Sequence, residues 1–134
     1  MLIFIADDSK ALRERLTAML SEIEGAEVIG QAGNAAEAVE GINNLKPDVV
    51  ILDIQMPGGN GIEVLKTIKQ ESQPPLVLML TNNASPQYRK KCMELGSDFF
   101  LDKSREFESL ITIFKRLIEQ FKLKAAPSGN TQGA

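Results

Sequence analysis

Five short apolar runs recur along the chain, at Leu2–Ala6, Val28–Ala32, Val49–Leu52, Leu76–Leu80 and Phe99–Leu101, and each gap between them can hold one helix. That alternation predicts βαβ units and a parallel sheet. LIFIA, VVIL and LVLML are almost unbroken by polar residues, as strands covered by helices on both faces must be. AEVIGQA is more mixed, which suits a sheet edge.

The helical segments carry their own start and stop signals. Leu12, Leu16, Met19, Leu20 and Ile23 form the stripe of an amphipathic first helix. Asn34 with Glu37 three residues on reads as a capping box for the second, with Pro47 just beyond its end. Gly61 opens the third, which stops before Pro74-Pro75. Ser85-Pro86 supplies the N-cap and first position of the fourth, and Gly96 its C-cap. The fifth is striped from Phe107 to Phe121. The fourth offers only Tyr88, Cys92, Met93 and Leu95 as apolar groups. It should pack little surface and shift at low cost, although a plain cover over a sheet edge fits equally. Residues 124–134 are small and polar, and a disordered tail is expected there.

At 134 residues the chain is one domain, here residues 1–123, able to bury roughly two-thirds of its unfolded surface. Its net charge of −3, with no Trp, lacks the basic and stacking surface of a nucleic-acid binder. A single cysteine, Cys92, favours a reducing compartment. No apolar run approaches the ~20 residues of a membrane span. A soluble, cytoplasmic protein is expected. The absence of histidine removes Ser-His-Asp and Cys-His nucleophiles, His-ligated zinc and imidazole bases. Neither a GxxxxGK[ST] loop nor a GxGxxG fingerprint is present. Chemistry must therefore run on carboxylates, hydroxyls, a lysine and a hard metal ion.

Ligands of open parallel α/β sheets bind beyond the carboxyl ends of the strands. The first strand ends at Asp7-Asp8, the third at Asp53, the fourth at Thr81 and the fifth at Asp102-Lys103. Each has an ordinary alternative: Asp7, Asp8 or Ser9 as helix caps, Asp53 as a turn residue, Thr81 as a β-branched strand residue, Lys103 as a solvated charge. Their joint placement carries the weight. Two carboxylates about 5 Å apart repel by about 3 kcal/mol at an effective dielectric of about 20. One lysine offsets one charge at most, and Mg²⁺ is the natural complement.

Asp7-Asp8, the loop Asp53-Ile54-Gln55-Met56-Pro57-Gly58-Gly59-Asn60-Gly61, Thr81, and Phe100 three residues before Lys103 together resemble a response-regulator receiver domain over residues 2–122. The resemblance implies a flavodoxin-like three-layer αβα sandwich with five helices and a five-stranded parallel sheet in order 2-1-3-4-5. It also implies a phosphoryl switch of a two-component system or phosphorelay. Asp53 would take a phosphoryl group from a sensor histidine kinase or phosphotransfer protein. Asp8, Asp53 and the backbone carbonyl of Gln55 would hold Mg²⁺, with Asp7 acting through water. Lys103 and Thr81 would contact phosphoryl oxygens. Thr81 moving toward the group would let Phe100 turn inward, altering the face of the fourth helix, fifth strand and fifth helix for an unknown downstream protein. Such a domain would be no enzyme beyond accepting a phosphoryl group and catalysing its removal from itself. A stand-alone protein is expected, as a monomer or phosphorylation-dependent dimer, touching neither nucleic acid nor membrane.

Some positions depart from the family pattern. Ser104 follows Lys103 where many receivers have a cis-proline, and a cis bond without proline costs about 3–4 kcal/mol, which favours trans. Asn82 is bulkier than the small residue usual beside the threonine. Gln55 and Asn83 flank the phosphorylation site without a carboxylate, and a persistent phosphoryl group is expected. An aspartate-nucleophile phosphatase would need a second Asp where Gln55 stands, and a flavin carrier a phosphate-cradling loop where Asp7-Asp8-Ser9-Lys10 stands. A phosphorylation-independent binding module on the same fold is the remaining alternative.

Overall fold

The first apolar run forms β1 (Leu2–Ala6), followed by α1 (Lys10–Ser21), β2 (Glu27–Ala32), α2 (Ala35–Leu45) and β3 (Val49–Leu52). The chain continues through β4 (Gln55–Met56), β5 (Gly59–Asn60), α3 (Gly61–Ile68), β6 (Leu76–Thr81), α4 (Pro86–Glu94), β7 (Phe99–Asp102) and α5 (Ser109–Ala125). The structure, a computed structural model, describes residues 1–125. The expected tail of residues 124–134 is thus helical at its first two positions; the remainder lies outside the described residues.

The main sheet is parallel, in order β2-β1-β3-β6-β7. Counting only its own strands, this is the expected 2-1-3-4-5, with the mixed second run at the edge. Strand periodicity sorts its side chains between two cores. Phe4, Ala6, Val50, Leu52, Val77, Met79 and Phe100 face α2, α3 and α4. Ile3, Ile5, Val49, Ile51, Leu78, Leu80 and Leu101 face α1 and α5. Phe99 and Phe100 fall on opposite faces, as period two requires. Each of the larger side chains among them, fully buried, contributes about 1.5–3 kcal/mol.

Side-chain caps set the helix starts. Ser9, Asn34, Asn60 and Ser85 accept from the backbone N–H of Leu12, Glu37, Ile62 and Tyr88 respectively. Each satisfies an N–H that has no partner inside its helix. Gly96 stands just past α4 with φ +104, a left-handed value that glycine adopts without penalty. The fifth helix begins later than its stripe suggests. Phe107 is buried but lies before α5, because Glu106 ties its backbone N–H to Asp102 O and its side chain to Asp102 N. Only Cys92 of α4 is buried, in keeping with its thin stripe.

The Asp53–Gly61 loop contains an element that periodicity does not reveal. Gln55 pairs with Asn60 and Met56 with Gly59 in an antiparallel hairpin. Pro57 presets its first turn position and Gly58, at φ +75, takes the second.

Candidate functional site

Parallel register brings the ends of the strands to one level. Ala6 pairs with Leu52, so Asp7 and Asp53 emerge side by side, and Asp53 N–H donates to Ala6 O at 3.0 Å. Thr81 pairs with Asp102, and Lys103 N–H donates to Thr81 O at 3.0 Å. The four strand ends singled out in the sequence therefore meet at the carboxyl edge of the sheet.

Asp7, Asp53 and Thr81 are 2%, 6% and 1% exposed, which is unusual for such groups and demands partners. Asp7 Oδ1 accepts from Ser9 N–H at 2.9 Å and Asp53 Oδ1 from Ile54 N–H at 2.7 Å. The second oxygen of each turns to one ammonium: Lys103 Nζ lies 2.6 Å from Asp7 Oδ2 and 2.9 Å from Asp53 Oδ2. Thr81 Oγ1 accepts from Asn83 N–H at 3.0 Å, leaving the hydroxyl hydrogen to donate elsewhere. Asp8 is exposed at the rim.

Oxygens of Asp7, Asp8 and Asp53 all lie within 4.8 Å of one another. At that separation two carboxylates repel by about 3 kcal/mol in an effective dielectric of about 20. Three carboxylates face one ammonium. Burial pushes the Asp7 carboxyl above its ordinary value, although Lys103 and the Ser9 N–H pull it down. Burial disfavours the Lys103 cation too, but its hydrogen bonds to Asp7 and Asp53 outweigh that and hold its proton more tightly than in a free lysine. Such a cluster of hard oxygen donors suits a small divalent cation. An open cleft of about 410 Å³ beside it, lined by Asp8, Gln55, Met56, Asn60 and Tyr88 among others, leaves room for water and an incoming group.

Phe100 is turned inward and is 4% exposed. Arg89 of α4 lies over the ring at 4.8 Å and donates to Phe100 O at 3.1 Å. Lacking a phenolic hydroxyl, the ring has no polar group to draw it toward solvent. Arg89 also pairs with Glu106 at 3.4 Å. The Lys103–Ser104 bond is trans, as are all peptide bonds among the described residues. Asp102 Oδ1 holds the turn there through Ser104 N–H and Oγ, which also keep its carboxyl below the usual aspartate value.

Some residues at the site escaped sequence reasoning. Arg13 of α1 donates to Asp7 O at 2.6 Å, and Tyr88 borders the cleft. Nothing in a surface arginine's position along a helix signals a backbone contact. Tyr88 was visible only as a member of a thin apolar stripe.

Over residues 3–115 the chain matches the family described as response regulator receiver domain. An uncharacterized response regulatory protein of Vibrio cholerae is 42% identical over 118 residues, which are 88% of this chain and 48% of that protein. The chain spans about half the length of the first curated relatives it matches. Among solved structures, the response regulator domain of Thermotoga maritima CheB aligns with a TM-score of 0.78 at 29% identity, covering 90% of this chain and 94% of that one. A chain of the CheX-CheY-BeF3-Mg complex from Borrelia burgdorferi gives a TM-score of 0.74 at 28% identity, with 85% and 89% covered. With that match lying on the same acidic strand ends, bridging lysine and threonine, the chain belongs to the response-regulator receiver domain family.

Proposed function

We propose that Asp53 accepts a phosphoryl group from the phosphohistidine of a sensor histidine kinase or phosphotransfer protein. One observation carries this reading: a buried aspartate that shares a single ammonium with a second buried aspartate, with a third carboxylate at the rim. An Asp53 oxygen attacks phosphorus, a new P–O bond forms, and the P–N bond breaks with its electron pair leaving on the donor imidazole. Asp8, Asp53 and the backbone carbonyl of Gln55 would hold Mg²⁺, with Asp7 acting through water. When bound, the ion neutralises charge on the phosphoryl oxygens.

Lys103 then exchanges one carboxylate for a phosphoryl oxygen, and the Thr81 hydroxyl donates to another. These are charge-assisted contacts that only the phosphorylated state offers. The change passes to the face built by α4, β7 and α5, where Phe100 is seated and α4 is least anchored, for recognition by a downstream protein. Gln55 and Asn83 offer no carboxylate to activate water, so the phosphoryl group persists. Among the described residues no helix is long and apolar enough to cross a membrane, and the cytoplasm is the compartment we assign.

The test is intact-mass spectrometry after incubation with acetyl phosphate and Mg²⁺. Wild type should gain one HPO₃ unit and Asp53→Asn none. A folded wild type that gains nothing would refute the proposal and favour a phosphorylation-independent binding module. Loss of the adduct within seconds at neutral pH would contradict its persistence.

A further inference from the structure

We infer that Arg13 is a positioning residue for Asp7 and Asp8 and thereby sets how tightly the site holds its divalent cation. The inference rests on the Mg²⁺-dependent reading above. Neighbouring side chains of an extended strand leave in opposite directions. Yet Asp7 and Asp8, consecutive at the end of β1, both bring oxygens within 4.8 Å of Asp53 and of each other. The chain must therefore turn at the peptide group joining them, and that group must be held in one orientation.

Arg13 holds it. Its Nη1 donates to the carbonyl oxygen of Asp7 at 2.6 Å, the very carbonyl of the Asp7–Asp8 peptide. The half-buried guanidinium is aimed by its neighbours. Nε donates to Gln31 Oε1 on β2 at 3.2 Å, Gln31 Nε2 donates to Thr17 Oγ1 at 3.3 Å, and Thr17 Oγ1 donates back to Arg13 O at 2.8 Å. Gly33 leaves the space, since a Cβ there would come within 3.3 Å of Nη1. From the opposite side Asp7 N–H donates to Ala32 O at 3.0 Å. The Asp7 backbone is thus clamped at both its donor and its acceptor, while Arg13 makes no ion pair with the acidic side chains.

Position and charge predict opposite signs. Were Arg13 merely a nearby positive charge, its removal would tighten a cation site. As a positioning residue, its removal loosens it, and contacts to ligand residues are typically worth about tenfold or more in metal affinity. Isothermal titration with Mg²⁺ alone, beside melting curves in EDTA, decides. Arg13→Gln should bind Mg²⁺ about tenfold more weakly, at the low end for such contacts. Arg13→Lys should recover part of the loss, and Gln31→Ala, which frees only the guanidinium, should show a smaller loss of the same sign. Unchanged or tighter binding by Arg13→Gln overturns the inference, even with a lowered melting midpoint. If Arg13→Gln does not fold, unchanged binding by Gln31→Ala overturns it instead. A wild type that binds no Mg²⁺ removes the proposed function as well, which separates the two failures.

Discussion

The Lys103 ammonium stands 2.6 Å from Asp7 Oδ2, so a residue just past β7 closes its shortest contact on one just past β1, three strands away in the sheet. Because the same nitrogen also reaches Asp53, one cation holds two buried carboxylates that would otherwise face each other uncompensated. Lys103→Met keeps the apolar stem and removes only the charge. In EDTA it should lower stability by about 2–3 kcal/mol, the cost of leaving buried charges unpaired. Mg²⁺ should restore more stability to the variant than it adds to wild type. Chemical denaturation with and without Mg²⁺ measures both; equal metal responses would show that Lys103 is not the apo counter-ion.

Asp7 and Lys103 shift pH dependence at opposite ends of the scale. Burial raises the Asp7 carboxyl above 3.8, so in the metal-free protein the folded state keeps a proton that the unfolded state has lost. Stability from this group therefore falls as pH rises from 3.8 through its raised folded value. Lys103 is raised above 10.5, so its stabilisation is complete below 10.5 and is lost as pH climbs through its folded value. Asp7→Asn removes the first slope and should raise the neutral-pH melting midpoint in EDTA by about 3–5 °C, while the stabilisation by Mg²⁺ is lost. A lowered midpoint would mean that the ion pair outweighs the burial cost.

Gly61 is required by contact. A Cβ there would lie 1.8 Å from Asp53 O and 2.7 Å from Asp53 C, and both are backbone atoms that cannot swing aside. Its own N–H donates to Ile54 O at 2.6 Å, which closes the loop against the start of α3. Gly61→Ala should cost about 3 kcal/mol or more. Urea unfolding reads the loss, and a change below 1 kcal/mol, the scale of an ordinary helix substitution, would show that the loop yields easily.

Arg89 fastens α4 to β7 through the Phe100 ring, the Phe100 carbonyl and Glu106. Its ion pair is largely exposed and worth little, but the stacked ring and carbonyl contact add to it. Arg89→Ala should lower stability by about 1 kcal/mol. Amide hydrogen exchange should quicken in α4 and around Phe100 while β1 and β3 keep their protection. Uniform acceleration over the whole sheet would show that Arg89 supports the fold rather than one movable helix.

Burial periodicity, helix caps and polar strand ends are local properties, and they were legible. The apolar runs specify which residues face inward, and the period of two divides them between the cores above and below the sheet. Ser9, Asn34 and Ser85 mark helix starts because each cap bond spans only a few residues. Asp7, Asp8, Asp53, Thr81 and Lys103 were visible as a set because every parallel strand delivers its following residue to the same edge.

Pairings across the chain were not legible. Periodicity cannot say that Lys103 binds Asp7 and Asp53 together, that Arg13 holds the Asp7 carbonyl, or that Arg89 covers Phe100. Each depends on strand register and helix placement, which are set by the packing of all the buried side chains at once. Phe107 fits the stripe of the last helix yet lies outside it, since bonds between Glu106 and Asp102 hold that stretch in a turn. The order of residues determined the layers, the caps and the acidic edge. Only the packed structure decided which charge meets which, because hydrogen bonds and ion pairs depend on ångström distances between segments that the chain joins only through its turns.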